Sequence, residues 1–259
     1  MACYDVLTGP FLFLINMNFK NMSLLNFTYN ISKDTENYLN AVYRFKYLKH
    51  QRKNIEQQVT HYLSDKDVLA IKKSKTKKEV REVIYKIITK WLKFNQDILE
   101  LNAQILSKVW QRREKQFIKY CENFFEKPFD FDDITCYFTT LPICPYHYPL
   151  WFMNSIKFSV EEQLLTIYHE LFHFMFIKYY QDYCFKKGLS KEEFEIIKEA
   201  LTVFLNQPPF TKINTISEKG YPLEKSLRDF MLKEYRKNLG FKKFLDSSIK
   251  YLKNNSNKI

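Results

Sequence analysis

The spacing of hydrophobic positions changes several times along the chain, and each change predicts a different element. Apolar and polar residues alternate through residues 25–31, which is typical of a half-buried strand. Between Ser32 and Phe125 there is no proline or glycine, and apolar residues recur at every third or fourth position. That period predicts amphipathic helices, with a basic break at 72–78 and a further helix or pair of helices over roughly 77–125.

After Pro128 the predicted elements are shorter. Alternation over 134–139 predicts a strand, a proline-containing loop follows, and "FMNSIKFS" at 152–159 predicts a second strand. Two helices come next, and each begins with a capping box, in which a serine is followed three residues later by a glutamate. The two pairs are Ser159 with Glu162 and Ser190 with Glu193.

The last part of the chain is predicted to be helical. The second capped helix stops at Pro208, and a helix from about Leu223 to Asn238 precedes a short basic helix. The whole pattern predicts a mainly α protein with a small antiparallel β-sheet, an α+β fold. We expect an N-terminal region, 1–126, with the first strand or strands and the helices, and a second region, 127–259. The two are either separate or one continuous domain.

Composition and charge narrow the classes of function. The net charge of +12 suits a soluble basic protein that attracts acidic partners. The lysines are spread along predicted helices and no nucleic-acid-reading motif is present, so nucleic acid is a possible but not a favoured partner. Four glycines and the absence of both a GxGxxG and a GxxxxGK[ST] pattern argue against a glycine-rich nucleotide site.

Cysteine usage predicts a cytoplasmic protein. The five cysteines are odd in number and contain no CxxC pair, which favours reduced thiols over a disulfide framework. The apolar run "FLFLI" near the start lacks a basic segment before it, so it is a poor secretion signal. No apolar stretch approaches the roughly 20 residues needed to cross a bilayer, and we therefore expect no membrane association.

The stretch IYHELFHFMF, residues 167–176, carries the candidate chemistry. His169 and His173 are one helical turn apart, so their imidazoles point the same way, and Glu170 is rotated by about 100°. This is the H-E-x-x-H arrangement, in which two histidines bind Zn²⁺ and the glutamate acts on water at the metal. The flanking residues are apolar nearly all round, which predicts a buried helix. Unpaired buried polar groups cost about 1–3 kcal/mol each, which favours metal ligands over histidines that only fill the core.

A catalytic zinc site needs a third protein ligand and an open position. The extended H-E-x-x-H-x-x-G-x-x-H form is excluded, because positions 176 and 179 are Phe and Tyr. We therefore expect the third ligand on another element and select Glu199, on the shoulder of the apolar arc of the next capped helix. The competing carboxylates are Asp182, Glu195 and Glu192.

"HELFH" followed by "KEALT" on a later helix resembles the gluzincin group of zinc metallopeptidases. The resemblance covers about residues 130–210 and implies a zincin-like catalytic core. It implies that His169, His173 and Glu199 hold zinc and that Glu170 is general base and acid. The implied partner is a peptide or protein substrate, and the strand in "NSIKFS" is the implied place where an extended peptide pairs.

Hydrolysis of a peptide also needs a donor for the developing oxyanion. The candidates are Tyr221 in "EKGYPL", His147 in "CPYHYP" and Tyr168, with Tyr221 preferred to His147 because Gly220 and Pro222 predict a fixed turn around it. Asn206, farther along the chain than Glu199, is a candidate for a residue that does not bind the metal itself but orients one of its ligands.

The favoured function is thus a zinc-dependent metallopeptidase that hydrolyses peptide bonds. The alternative is a basic helical binding module for nucleic acid or an acidic protein, with a structural metal or none. A structural zinc site is usually closed by cysteines. Cys184 is the only thiol near the motif, which is poor support for such a site.

Overall fold

The computed structural model describes residues 23–47 and 63–255, and this part of the chain is mainly helical with one small sheet. His50 and His61, for which the sequence favours surface or packing roles, lie outside the described residues. Among the helices described, none is long and apolar enough to cross a membrane.

Seven α-helices carry most of the chain that the structure describes. In chain order they are α1 (Ile31–Tyr47), α2 (Asp65–Lys73), α3 (Lys77–Phe125), α4 (Val160–Lys186), α5 (Lys191–Leu201), α6 (Lys225–Tyr235) and α7 (Phe241–Asn255). Short 3-10 turns cover Thr202–Asn206, Phe210–Lys212 and Pro222–Glu224. The expected capping boxes are present at the starts of α4 and α5. The helix expected at about 223–238 corresponds to the last 3-10 turn and α6.

The sheet has four strands in the order β1-β2-β4-β3. They are β1 (Leu25–Tyr29), β2 (Ile134–Thr139), β3 (Tyr146–His147) and β4 (Trp151–Ser155). The expectation of an antiparallel sheet is wrong, because β1, β2 and β4 are parallel and only β3 is antiparallel to its neighbour. Alternation along a strand does not encode its direction. Direction depends on the connection, and the helices between β1 and β2 supply the crossover that a parallel pair needs.

The 49-residue helix α3 explains why the sequence is compatible with one helix or two. It is continuous except at Asn95, whose φ of −131° and ψ of 16° are not helical. The Asn95 side chain donates a hydrogen bond of 2.8 Å to the carbonyl oxygen of Trp91, which satisfies an acceptor at the kink. Beyond the kink α3 presents a continuous buried face that includes Leu99, Leu106 and Trp110.

Helix α4 lies between α3 and the sheet. Tyr168 stacks on Phe117 of α3 with ring centroids 4.9 Å apart, while Phe174 meets Phe152 of β4 edge-on at 6.4 Å. Apolar neighbours on both sides account for the nearly uniform apolar composition of this helix. One cluster of buried side chains extends from β1 to α7. Residues before and after position 126 therefore share a core.

A buried carboxylate joins α1 to the end of β2. Asp34 is fully buried and accepts hydrogen bonds from the hydroxyls of Tyr29 (2.9 Å), Thr139 (2.6 Å) and Thr140 (2.8 Å). Burial raises the pKa of Asp34, and the hydrogen bonds from these three residues oppose that rise. This cluster fixes the first helix against the strand at the centre of the sheet.

We expect Asp34→Ala to lower the free energy of unfolding by about 3 kcal/mol or more, since it leaves several buried donors without an acceptor. Urea unfolding followed by circular dichroism measures the change. Asp132→Ala, at an exposed position, is the control and should stay within about 0.5 kcal/mol of wild type. Equal effects of the two substitutions would show that the Asp34 cluster does not stabilise the fold.

Candidate metal centre

Two capped helices bring the candidate ligands together. Helix α4 carries His169 and His173, and after a turn at Gly188, where φ is 79°, the chain returns as α5 with Glu199. Phe176 of α4 stacks on Phe194 of α5 with ring centroids 5.3 Å apart and planes 9° from parallel. Packing of apolar side chains thus sets the distance between the two helices where the polar residues meet.

His169, His173 and Glu199 form a group of three potential metal ligands whose ligand atoms lie within 4.8 Å of one another. The Oε2 atom of Glu199 is 3.4 Å from Nε2 of His169 and 3.7 Å from Nε2 of His173. Metal–ligand distances of about 2.1 Å in a tetrahedral site place neighbouring ligand atoms roughly 3.4 Å apart. The two separations from Glu199 are therefore close to those expected around one tetrahedral ion of the size of zinc.

Burial gives a second, independent test of that fit. His173 is 1% exposed, and neither of its ring nitrogens has a hydrogen-bond partner among the described residues. The Oε2 atom of Glu170 is likewise buried without a partner and lies 3.9 Å from Nδ1 of His173. His169 and Glu199 are each 20% exposed, so the cluster is reached by solvent from their side. An ion bound by His173 would satisfy a nitrogen that the protein leaves unpaired.

The protonation preferences of the cluster follow from burial and from the charges around it. Burial, with the positive charges of His169 and Lys198, holds the pKa of His173 well below its ordinary value, so this imidazole is neutral. Burial would also lower the pKa of His169, but its hydrogen bond to Glu199 and the nearby carboxylates outweigh burial and raise it. Burial raises the pKa of Glu170 to about 7. A neutral imidazole is the form that binds a metal.

A carboxylate behind His169 completes the far side of the cluster. The Oε1 atom of Glu218 is 3.9 Å from Nδ1 of His169, and its other oxygen pairs with Arg228. Asn206 holds the Glu218 backbone by two hydrogen bonds of 2.7 Å, one to the carbonyl and one from the amide. Asn206 is therefore connected to the cluster by way of Glu218. A carboxylate at the second nitrogen of a ligating histidine is a common support of metal sites.

Gly220 is required where it stands. Its φ is 62°, and a Cβ atom at this position would overlap the guanidinium of Arg228. The Gly220 amide donates a hydrogen bond of 2.9 Å to Glu218. The turn that the sequence predicts here thus brings the Gly220 backbone against the side chains of both Glu218 and Arg228.

Tyr221 and His147, the two favoured oxyanion donors, lie in different surroundings. Loss of hydration raises the pKa of Tyr221, and the charges of Glu199 and other carboxylates raise it further. The Tyr221 side chain is 60% exposed. His147 instead stacks on Trp151, its partner across β3 and β4, and is exposed. Its neighbour Tyr146 faces the other way, towards His173.

The remaining candidates lie outside the cluster. Tyr168 is buried against α3, and its hydroxyl is 3.4 Å from the carbonyl oxygen of Ile213. Asp182 is exposed near the end of α4, and Glu192 is exposed in the first turn of α5. Glu195 pairs with Lys198. Among the carboxylates considered from the sequence, Glu199 is the one that the fold brings to both histidines.

The strand in "NSIKFS" is shorter than expected and already paired. β4 ends at Ser155 and pairs with β2 along its length. On its other side β3 pairs with Trp151 and Phe152, and the Met153 amide donates to the carbonyl oxygen of Pro145. Both sides of β4 are thus engaged over this stretch, and β3 is the outer strand beside α4.

Sequence reasoning missed four residues around the cluster. They are Glu218, Arg228, Lys198 and Tyr146. Three of them lie inside stretches quoted above, Lys198 in "KEALT", Tyr146 in "CPYHYP" and Glu218 in "EKGYPL", but no motif assigns any of the four a role. The one local signal was the lysine directly before the expected ligand Glu199. A lysine on a partly buried helix face needs a negative partner, which could have indicated a nearby carboxylate.

We expect His173→Leu to leave the metal-free protein as stable as wild type, or up to about 1–2 kcal/mol more stable, because it removes unpaired buried polar atoms. Thermal unfolding in the presence of a chelator measures this. Phe172→Ala, also buried on α4, is the control for loss of core packing and should cost about 3–5 kcal/mol. A clear loss of stability in His173→Leu would make His173 a structural core residue.

Comparison of the chain with protein-family models, with curated proteins and with solved structures finds no match. The inference about function therefore depends on the chemistry of the site itself. The fold brings together three ligand atoms, a buried carboxylate oxygen without a partner and charged groups on both sides of them. A proposed function has to account for that group.

Proposed function

We propose that this protein is a zinc-dependent metallopeptidase with a gluzincin-like site. The observation that carries the proposal is the meeting of His169, His173 and Glu199, with both ring nitrogens of His173 buried and unpaired. Two histidines and one glutamate, with solvent access on one side, form the ligand set of a catalytic zinc site rather than of a closed structural one.

His169, His173 and Glu199 would hold the zinc ion. The ion supplies Lewis acidity, which polarises a carbonyl group and makes water more acidic. The two imidazoles and one carboxylate would leave a position for water or substrate on the side where His169 and Glu199 are 20% exposed. Glu218, paired with Arg228, lies 3.9 Å from Nδ1 of His169 and would orient the ring of that ligand.

Glu170 is the proposed general base and acid. Its Oε2 atom is a proton acceptor without a partner beside the ligand cluster. It would accept a proton from the attacking water and return it to the leaving amine. Its position directly after His169 turns it away from the two ligand nitrogens, as this role requires.

Tyr221 is the proposed donor to the oxyanion of the substrate. Its side chain is accessible, and the charges of Glu199 and Glu170 are among the causes that raise its pKa. A phenol next to carboxylates keeps its proton, because those charges raise its pKa, so it remains a hydrogen-bond donor. His147 is the weaker candidate, since it is stacked on Trp151 on the opposite face of β3 from Tyr146.

The alternative is a basic binding module, supported by the net charge of +12. That charge does not explain why two histidines and a glutamate converge in the core, nor why Glu170 is buried without a partner. The peptidase accounts for both. We place it in the cytoplasm with a peptide or protein substrate. The free thiols of the four described cysteines agree with a reducing compartment.

We expect Glu170→Gln to retain zinc and to lower the rate of peptide hydrolysis by about 10²–10⁴-fold, because the amide cannot accept the proton from water. Cleavage of a peptide library, with zinc content measured on the same samples, tests this. Glu192→Gln removes an exposed carboxyl on α5 and should cleave as wild type does. Full activity in zinc-loaded Glu170→Gln would exclude the mechanism. Zinc-loaded wild-type protein that cleaves nothing would exclude the peptidase.

A further inference from the structure

Lys198 is a buried cation beside the ligand cluster. Its side chain is 1% exposed, although it carries a charge. Its Nζ atom lies 2.5 Å from the Tyr146 hydroxyl, 2.5 Å from Oε2 of Glu195 and 3.3 Å from Oε1 of Glu199. The ammonium group donates hydrogen bonds to Tyr146 and Glu195, and it forms an ion pair with Glu199. The position of Nζ is therefore fixed from three directions.

The two oxygens of Glu199 consequently have separate partners. Oε2 faces the histidines, at 3.4 Å from His169 and 3.7 Å from His173. Oε1 faces Lys198 at 3.3 Å. Rotation of the carboxylate to bring both oxygens towards the histidines would remove Oε1 from the ammonium and leave a buried cation with one partner fewer, which is costly.

We propose that Lys198 is a positioning residue that makes Glu199 bind the metal through Oε2 alone. This inference rests on the metal site of the proposed function and adds the mode of coordination. One carboxylate oxygen and two imidazole nitrogens give three protein ligands and leave the fourth tetrahedral position open for water. A carboxylate bound through both oxygens would make the same ion five-coordinate once water is present.

Rigid elements hold the lysine in this position. Glu195 lies one turn earlier on α5, and Tyr146 lies on β3, next to the ring of His173. A buried ion pair is weak support for stability, since apolar residues of similar volume often replace one without loss. Apolar residues in place of Lys198 and its partners could not orient the Glu199 carboxylate, and that orientation is the function proposed for Lys198.

Cobalt substitution tests the proposal, because visible absorption by Co²⁺ is intense at four-coordinate and weak at five-coordinate sites. Wild type should show the four-coordinate spectrum. Lys198→Met, which keeps the apolar stem, should shift towards the five-coordinate spectrum and bind zinc about 10–100-fold more weakly in chelator competition. Lys191→Met, an exposed lysine on the same helix, should match wild type in both measurements. Circular dichroism of the metal-free proteins shows that each variant is folded.

The outcomes separate this inference from the function on which it rests. Wild type that binds cobalt with a five-coordinate spectrum overturns the role of Lys198, even if Lys198→Met fails to fold. A folded Lys198→Met with the wild-type spectrum and affinity also overturns it, while the metal site stands. Wild type that binds neither zinc nor cobalt overturns both the metal site and the role of Lys198.

Discussion

Burial of α4 on both sides is the constraint on which the candidate site depends. The helix packs against α3 through Tyr168 and against the sheet through Phe174, so a polar side chain on it must find a partner inside the protein. His173 finds none among the described residues. A chain that places an unpaired imidazole in its core lowers its own stability, and a bound metal ion is the simplest way to recover that free energy.

The three carboxylates around the cluster have different partners. Glu218 pairs with Arg228 and stands behind His169, while Glu199 divides its two oxygens between the histidines and Lys198. Glu170 is left without a cation of its own. Two of the carboxylates are thereby paired with a cation, and in the proposed mechanism the third is the proton acceptor. Helices carry Glu170 and Glu199, and two hydrogen bonds with Asn206 hold the backbone of Glu218 in the loop before the last 3-10 turn. Such fixed positions favour a preorganised site.

Local sequence chemistry predicted the elements well. Capping boxes marked the starts of α4 and α5, and alternation marked β1 and β2. It also led to the group of His169, His173 and Glu199, because helical spacing fixes which residues share a face. Strand direction was not predictable in this way, since alternation along a strand is the same whether its neighbour is parallel or antiparallel. The supports Glu218 and Lys198 were missed because their partners are long-range or depend on the exact rotation of α5.

Metal content of the purified protein is the measurement that tests the central claim most directly. Wild type prepared without chelators should contain about one zinc per chain, and Glu199→Ala should lose it or bind it far more weakly, since one of three ligands is gone. Full zinc binding by Glu199→Ala would contradict the proposed third ligand. Wild type that takes up no metal, even when zinc is added to the folded protein, would contradict the account as a whole and return His169 and His173 to the hydrophobic core.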